Sequence, residues 1–532
     1  MNKRIAILFS VLSGILLGFP WLNTSGFFLF VAFIPLLWVE KEFEKQGKRP
    51  RIFWSFSFLS MLVWNSITSW WIWNATPVGS IMAILVNSFL MSCVWYLFHR
   101  IKRIMGSRPG YLALIGIWIS FEYLHLNWEI SWPWLSLGSG FANDVKWVQW
   151  YEYTGILGGA VWIWLINCLI LKIVCQGIRD QSLKNSRFII SQVLFLVLVP
   201  IIISYIIYNQ YEEQGNPVEV VVVQPNIDPY SKKFDPKTQE WQTDVLLQLA
   251  DSLTTQNTSF VIGPETALHG IWENNIGNRY SSIRRIRNFL KKYPNVNFVV
   301  GASSYKWFTK GEKLTPTARK FRDGNGYYEA YNSAFLFDTT QLISKYHKSK
   351  LVVGVENMPF TRVAKFVEKM AIDLGGTTGS LGRQKERRNL VGSNGIKVAP
   401  GICYESIYGE FLGKYVLNGA QLIAIITNDG WWKNTPGYRQ HLSFSRLRAI
   451  ETRKSIARSA NTGISALINQ RGDILQQTGW WEPAVLRGEL KANSRLTFYC
   501  VWGDFIGRIF AFLSLLIFIA AITRSVKNMT RA

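Results

Sequence analysis

Three ionisable residues stand at the ends of apolar runs, where a strand would not otherwise want them. "FVIGPE" finishes on Glu265, "YHKSKLVVGVE" carries Lys348 before an apolar stretch and Glu356 after it, and "PGICYE" holds Cys403 and Glu405. If these ends converge, a carboxylate, an ammonium and a thiol share one site, and the chemistry is specific. The carboxylate takes the thiol proton, the nearby positive charge lowers the thiol pKa, and the thiolate attacks a carbonyl carbon. Lys348 and the backbone N–H of Tyr404 can then hold the developing oxyanion. Each residue alone has a commoner structural reading: strand-end carboxylates are usually solvated, a cysteine after an apolar run is usually filler, and "SKYHKSK" can be a solvated face. The combination raises the estimate.

Cysteine usage points the same way. Of five cysteines, Cys93, Cys168 and Cys175 fall in or beside apolar runs, Cys500 sits at the start of another, and Cys403 alone lies inside the polar part of the chain. There is no CxxC pair, and five histidines without an HExxH spacing leave metal catalysis unsupported, so no metal and no cofactor is expected.

The elements that must position these residues lie between 218 and 473. β-rich runs ("VEVVVVQPN", "SFVIGPE", "NFVVGASSY", "NSAFLFD", "KVAPGICYE", "LIAIITND", "GISALINQRGD") alternate with amphipathic patterns in "TQEWQTDVLLQLADSLTT" and "RYSSIRRIRNFLKKY", and a further helix is expected over 439–457. This reads as an α/β domain whose functional groups sit where strands end.

The rest of the chain is too apolar for water. Over 532 residues, 49% are hydrophobic and 15% aromatic. Runs long enough to approach a bilayer's thickness of about 20 residues suggest eight spans near 4–20, 27–39, 53–73, 81–98, 111–124, 155–173, 188–208 and 505–522. The loops "EKEFEKQGKRPR", "HRIKRIMGSRPG" and "QGIRDQSLKNSR" are basic, and the alternating loops carry almost no Lys or Arg. Eight spans with the N-terminus inside put every basic loop in the cytoplasm and the polar segment outside. The first run is read as an uncleaved anchor. The expected domains are 1–210, about seven spans; 211–503, the catalytic domain; and 504–532, a last span with a cytoplasmic tail. Much of the net charge of +24 sits in the cytoplasmic loops, so topology explains it and nucleic-acid binding is not expected.

"GPE" with Glu265, "YHK" with Lys348 and "GICYE" with Cys403 resemble the three signatures of the nitrilase, or carbon-nitrogen hydrolase, superfamily over about 218–490. With the spans added, the chain resembles that superfamily's membrane branch, the apolipoprotein N-acyltransferases; "WPWLSLG" at 132–138 and "TNDGWW" at 427–432 are similar to segments of that family. The resemblance implies an αββα sandwich on the periplasmic side of a bacterial inner membrane, working as a monomer. It implies transfer of an acyl chain from a phospholipid, typically the sn-1 chain of phosphatidylethanolamine, through a Cys403 thioester. The acceptor would be the α-amine of the S-diacylglyceryl cysteine that begins an apolipoprotein. It assigns Glu265 as general base, Lys348 as oxyanion and thiolate partner, Cys403 as nucleophile, and Glu356, Tyr404 and Glu405 as supporting residues. Phe234, Asn428 and Trp431 would line the substrate pocket or lid. The chain departs from the better-known members at "VVGVE", where they carry Pro-Phe-Gly-Glu, and at Phe234, where they carry Trp. Two rival readings expect a membrane-anchored amidase using the same triad with water, or a non-catalytic polytopic protein with ionisable residues buried in its spans. Glu122 is the clearest such residue.

Overall fold

The computed structural model describes residues 1–277, 279–340, 342–357 and 380–530. The chain divides into two compact units, Met1–Tyr211 with Trp502–Ala532, and Glu212–Val501.

The first unit is helical. Among the described residues, five helical segments are long and apolar enough to cross a membrane: Lys3–Leu22, Pro77–Met105, Tyr151–Asp180, Lys184–Gln210 and Phe505–Thr530. The other three expected spans do not meet that standard. Pro50–Ser69 and Ser107–Asn127 have the length, at 20 and 21 residues, but their polar positions dilute them. The stretch 27–39 breaks into a short 3-10 turn, Gly26–Phe30, and a helix, Ile34–Lys45, of only 12 residues. Two buried carboxylates of this unit have polar partners, as burial in apolar surroundings demands. Glu40 meets His99 at 2.8 Å and Lys102 at 2.6 Å. Glu122 accepts from the Trp118 indole at 2.8 Å and from the Leu137 N–H at 3.0 Å, which ties it to the "WPWLSLG" segment.

The second unit is a sandwich of two sheets. In chain order its strands are β1 (Asn216–Gln224), β2 (Phe260–Ile262), β3 (Leu268–Trp272), β4 (Asn297–Trp307), β5 (Arg319–Lys320), β6 (Tyr327–Phe337), β7 (Ser344–His347), β8 (Leu390–Val391), β9 (Lys397–Ile402), β10 (Leu422–Thr427), β11 (Ile456–Ala460), β12 (Ala466–Ile468), β13 (Ile474–Gln477) and β14 (Ala484–Ala492). One sheet runs β14-β1-β2-β4-β6-β5, with β3 on β4 and β7 on β6; the other runs β13-β12-β11-β10-β9-β8. Both have parallel centres, β1-β2-β4 and β9-β10-β11. Parallel neighbours need long crossovers, and helices supply them. Gln239–Leu253 and Ser281–Lys292 lay Leu246, Ala250, Ile283, Ile286 and Leu290 on Val221, Val261, Phe298 and Val300. Gly409–Leu417 and Pro436–Thr452 make the crossovers of the other sheet. The order of layers is therefore α, β, β, α. The parallel centres carry mainly apolar side chains; Ile423, Ile425, Ile426 and Val299 are fully buried, each worth roughly 1.5–3 kcal/mol.

The expected helix over 439–457 ends early, at Thr452. Arg453 turns with φ +50°, and "IARSA" continues as β11 at the centre of its sheet. Strand β14 was not among the expected strands. Its alternating "AVLRGELKA" reads as surface because one edge of it is polar, yet it pairs with β1 along nine residues.

Candidate active site

The two parallel centres deliver the chemistry. The chain leaves β2 towards Glu265, β9 at Cys403 and β10 at Asn428, each at a strand's C-terminal end. β7 is antiparallel to β6, which is antiparallel to β4, so β7 runs with the parallel strands and delivers Lys348 to the same edge. Ligand sites of α/β folds form at such edges.

Cys403 sits on a sharp elbow between β9 and a 3-10 turn, Cys403–Ile407, with φ +50°. A side chain in that left-handed region costs about 1–2 kcal/mol, so the surroundings must hold it. Glu405 does much of this. One of its carboxylate oxygens accepts from the Ser349 N–H at 2.6 Å, the Lys350 N–H at 3.2 Å and the Tyr346 hydroxyl at 2.7 Å; the other accepts from the Ile402 N–H at 3.0 Å. One carboxylate thereby joins the elbow to the segment that carries Lys348. Burial raises the pKa of Glu405, and the hydrogen bonds from Ser349, Tyr346 and Ile402 together with the Lys348 charge oppose that rise. On the other side, the Cys403 carbonyl accepts from the Ser406 hydroxyl at 2.7 Å and lies 3.1 Å from His441 Nε2.

Lys348 is 1% exposed and lies between two carboxylates, 3.1 Å from Glu265 and 2.9 Å from Glu356. Burial alone would lower its pKa, but those two carboxylates outweigh it and hold the ammonium well above its ordinary value. Asn332 donates to the same pair, at 2.7 Å to Glu265 and 3.0 Å to Glu356. Glu356 in turn accepts from the Val352 N–H at 2.9 Å.

Cys403 feels both signs of charge. Lys348 pulls its pKa down, as the sequence suggests, but burial first and then Glu265 push it up, and the upward effects win. The resting group is a thiol, so the site needs a base in reach at the moment of attack rather than a stored thiolate.

Phe234 and Trp431 stack at 6.1 Å, with Tyr230 edge-on to Trp431 at 5.4 Å and His269 against Phe234 at 5.2 Å. Asn428 is different: it is buried, and its side-chain Oδ1 accepts from the Asn461 amide and the Thr462 hydroxyl, which fastens the end of β10 to the loop after β11. Tyr404 is buried and packs edge-on against Tyr408.

Asn332, His441, Arg458 and Lys233 lie outside the motifs, and Asp429 lies inside "TNDGWW". Asn332 projects from the middle of β6. Asp429 and His441 form a 2.9 Å pair, and Arg458 joins both; burial and Arg458 pull the His441 pKa down, against the upward pull of Asp429. Lys233, beside Phe234 in "KKFDP", donates to the Glu265 carbonyl at 2.8 Å. Lys233 and Asp429 each had a sequence signal, a position next to a residue already singled out, Phe234 and Asn428.

The turn carrying Glu265 is closely backed. Thr266 has φ +47°, and a Cβ on Gly301 would stand 2.5 Å from both Glu265 Cα and Thr266 N. Gly301→Ala is expected to cost about 2 kcal/mol, seen as a lower melting temperature, and to slow alkylation of Cys403 by iodoacetamide at least about tenfold by moving the carboxylate. Wild-type labelling in a destabilised Gly301→Ala chain would show that the turn does not set the reactivity of the thiol.

Two family models match the chain: the carbon-nitrogen hydrolase model over residues 219–496, and the apolipoprotein N-acyltransferase N-terminal domain model over residues 8–169. Among similar proteins, the apolipoprotein N-acyltransferase of Chlorobaculum tepidum is 28% identical over 512 residues, covering 93% of this chain and 92% of its own length. That of Geobacter metallireducens is 29% identical over 513 residues, covering 93% and 91%. Among solved structures, Nit3 of Saccharomyces cerevisiae, a nitrilase-superfamily member, is 16% identical with a TM-score of 0.37 and covers 53% of this chain and 92% of its own. The first model takes in more than half of the chain, from β1 to beyond β14, and includes every residue gathered around Cys403; the chain belongs to the carbon-nitrogen hydrolase family.

Proposed function

We propose that the chain is an apolipoprotein N-acyltransferase of a bacterial inner membrane, with its catalytic unit on the periplasmic side. Glu265 accepts the Cys403 proton, and the sulfur attacks the carbonyl carbon of a phospholipid ester. Lys348 and the Tyr404 N–H steady the oxyanion. Collapse expels the lysophospholipid alkoxide, which recovers the proton from Glu265 and leaves an acyl thioester. In the second half, the free α-amine of an S-diacylglyceryl cysteine attacks the thioester. Its N–H proton passes to Glu265 and on to the departing Cys403 sulfur, and an amide remains. Phe234 and Trp431 offer an apolar wall for the acyl chain. Both substrates are lipid-anchored, which gives a membrane-held enzyme the advantage of proximity.

The observation that carries this reading is the extent of the match: similarity to the named acyltransferases runs over 93% of the chain, apolar helices included, and not over the thiol-bearing unit alone. The test is to incubate the full chain in detergent with phosphatidylethanolamine and a diacylglyceryl-cysteine peptide. The expected product is the peptide with one amide-linked acyl chain, together with lysophospholipid. Release of free fatty acid with an unchanged peptide, or turnover of a small amide instead, would replace this reading with a hydrolytic one.

A further inference from the structure

Glu265 and Glu356 share a single ammonium directly, that of Lys348, so the three together carry a surplus negative charge beside the thiol. Moving a proton from Cys403 to Glu265 neutralises that carboxylate and shifts its charge onto the buried sulfur, so the surplus stays in the site and faces Glu356 from a new position. Coulomb repulsion there is far stronger than in water.

A second cation is present. Lys233 is 1% exposed, and its Nζ donates to the Glu265 carbonyl at 2.8 Å. The segment carrying it is itself pinned: Gln242, from the helix that covers β1, donates to the Lys232 and Lys233 carbonyls at 3.0 Å each. The groups around the ammonium are Glu265 from the turn after β2, Cys403 from the elbow, and His269 from β3. Lys348 and Glu356 lie across Glu265, and Asp429, held by Arg458 and His441, lies beyond the thiol. A buried lysine with one neutral acceptor is costly unless it serves an anion.

We propose that Lys233 is a positioning residue of this site: its ammonium fixes the Glu265 backbone and supplies the positive charge that offsets the surplus negative charge as it passes from Glu265 to the Cys403 sulfur. This rests on Cys403 being the reactive thiol and not on the identity of the acyl acceptor. Burial pulls the Lys233 pKa down to about 7, against the upward pull of Glu265 and Cys403. The amine therefore carries its charge below neutrality and loses it above, so its help to the thiol should fade as pH rises. Its neighbour Phe234 stacks on Trp431, so the chain that forms the aromatic wall also steadies the base.

The test uses the full chain in detergent and measures iodoacetamide labelling of the Cys403 peptide by mass spectrometry across pH. Lys233→Gln keeps a donor for the Glu265 carbonyl and loses the charge; Lys233→Met loses both. Lys233→Gln is expected to melt like the wild type and to label about tenfold more slowly below neutral pH, with the two curves converging well above it. Lys233→Met should be slower still at every pH. A Lys233→Gln profile that overlays the wild type, or that is lowered equally at all pH values, would overturn the charge role. Wild-type Cys403 that does not label faster than Cys500 would instead remove the reactive thiol on which the inference stands.

Discussion

Mixed with phosphatidylethanolamine, the wild-type chain is expected to gain the mass of one acyl group on the peptide that carries Cys403, and Cys403→Ala to gain none. The alternatives within the chain are poor. Cys93, Cys168 and Cys175 lie on helices of the membrane-type unit, and Cys500 is buried beside Gly413 and Thr497 rather than beside Glu265 and Lys348. Cys403 is partly exposed, while its partners Glu265 and Lys348 are buried. That arrangement keeps water off the charges that activate the thiol. Removing the nucleophile of such a site costs on the order of 10⁴-fold or more in turnover. Cys403→Ser tests the base separately. A hydroxyl is a far weaker acid than a thiol, so the same carboxylate should yield little acyl-enzyme, and any ester formed should resist transfer to the peptide amine. An unmodified wild-type Cys403 in the presence of lipid would remove the thioester from the proposed cycle.

The residues that deliver this chemistry were legible because strand ends are legible. Glu265, Lys348 and Cys403 each follow an apolar run, and a run that stops on an ionisable side chain marks the edge of a sheet whatever its neighbours are. What brings them together is not local. Asn332 sits in mid-strand, where its alternation with apolar residues looks like any half-buried edge, and its role emerges only when β6 lies beside β4 and β7. Asp429, His441 and Arg458 come from three elements separated by up to 29 residues. The sign of the thiol's pKa shift was misread for the same reason: a nearby lysine is visible in "YHK", but the depth of burial is a property of the packed sandwich. In the helical unit, hydropathy located the apolar segments. It could not show that 27–39 bends into two short pieces, since its residues are as apolar as those of a continuous helix.

Lys348→Met is expected to remove acylation and to destabilise the catalytic unit, and these two losses can be separated. Without the ammonium, Glu265 and Glu356 both keep hydrogen bonds from the one amide of Asn332 but lose the charge between them. Breaking a buried ion pair by deleting one partner costs about 3–5 kcal/mol, because the remaining charge is left uncompensated. Two close carboxylates relieve the strain by sharing a proton, and a Glu265 that has taken it can no longer receive one from Cys403. Adding Glu356→Gln to Lys348→Met removes the excess carboxylate, so most of the lost stability should return, seen as recovery of the melting temperature. Acylation should not return, because the oxyanion donor is still missing. If the double variant regained both, Lys348 would be a structural counter-ion only. If it regained neither, with the chain still folded at lower temperature, Glu356 would have to do more than balance charge, and its hydrogen bond to the Val352 N–H, which orders the segment after Lys348, would be the place to look.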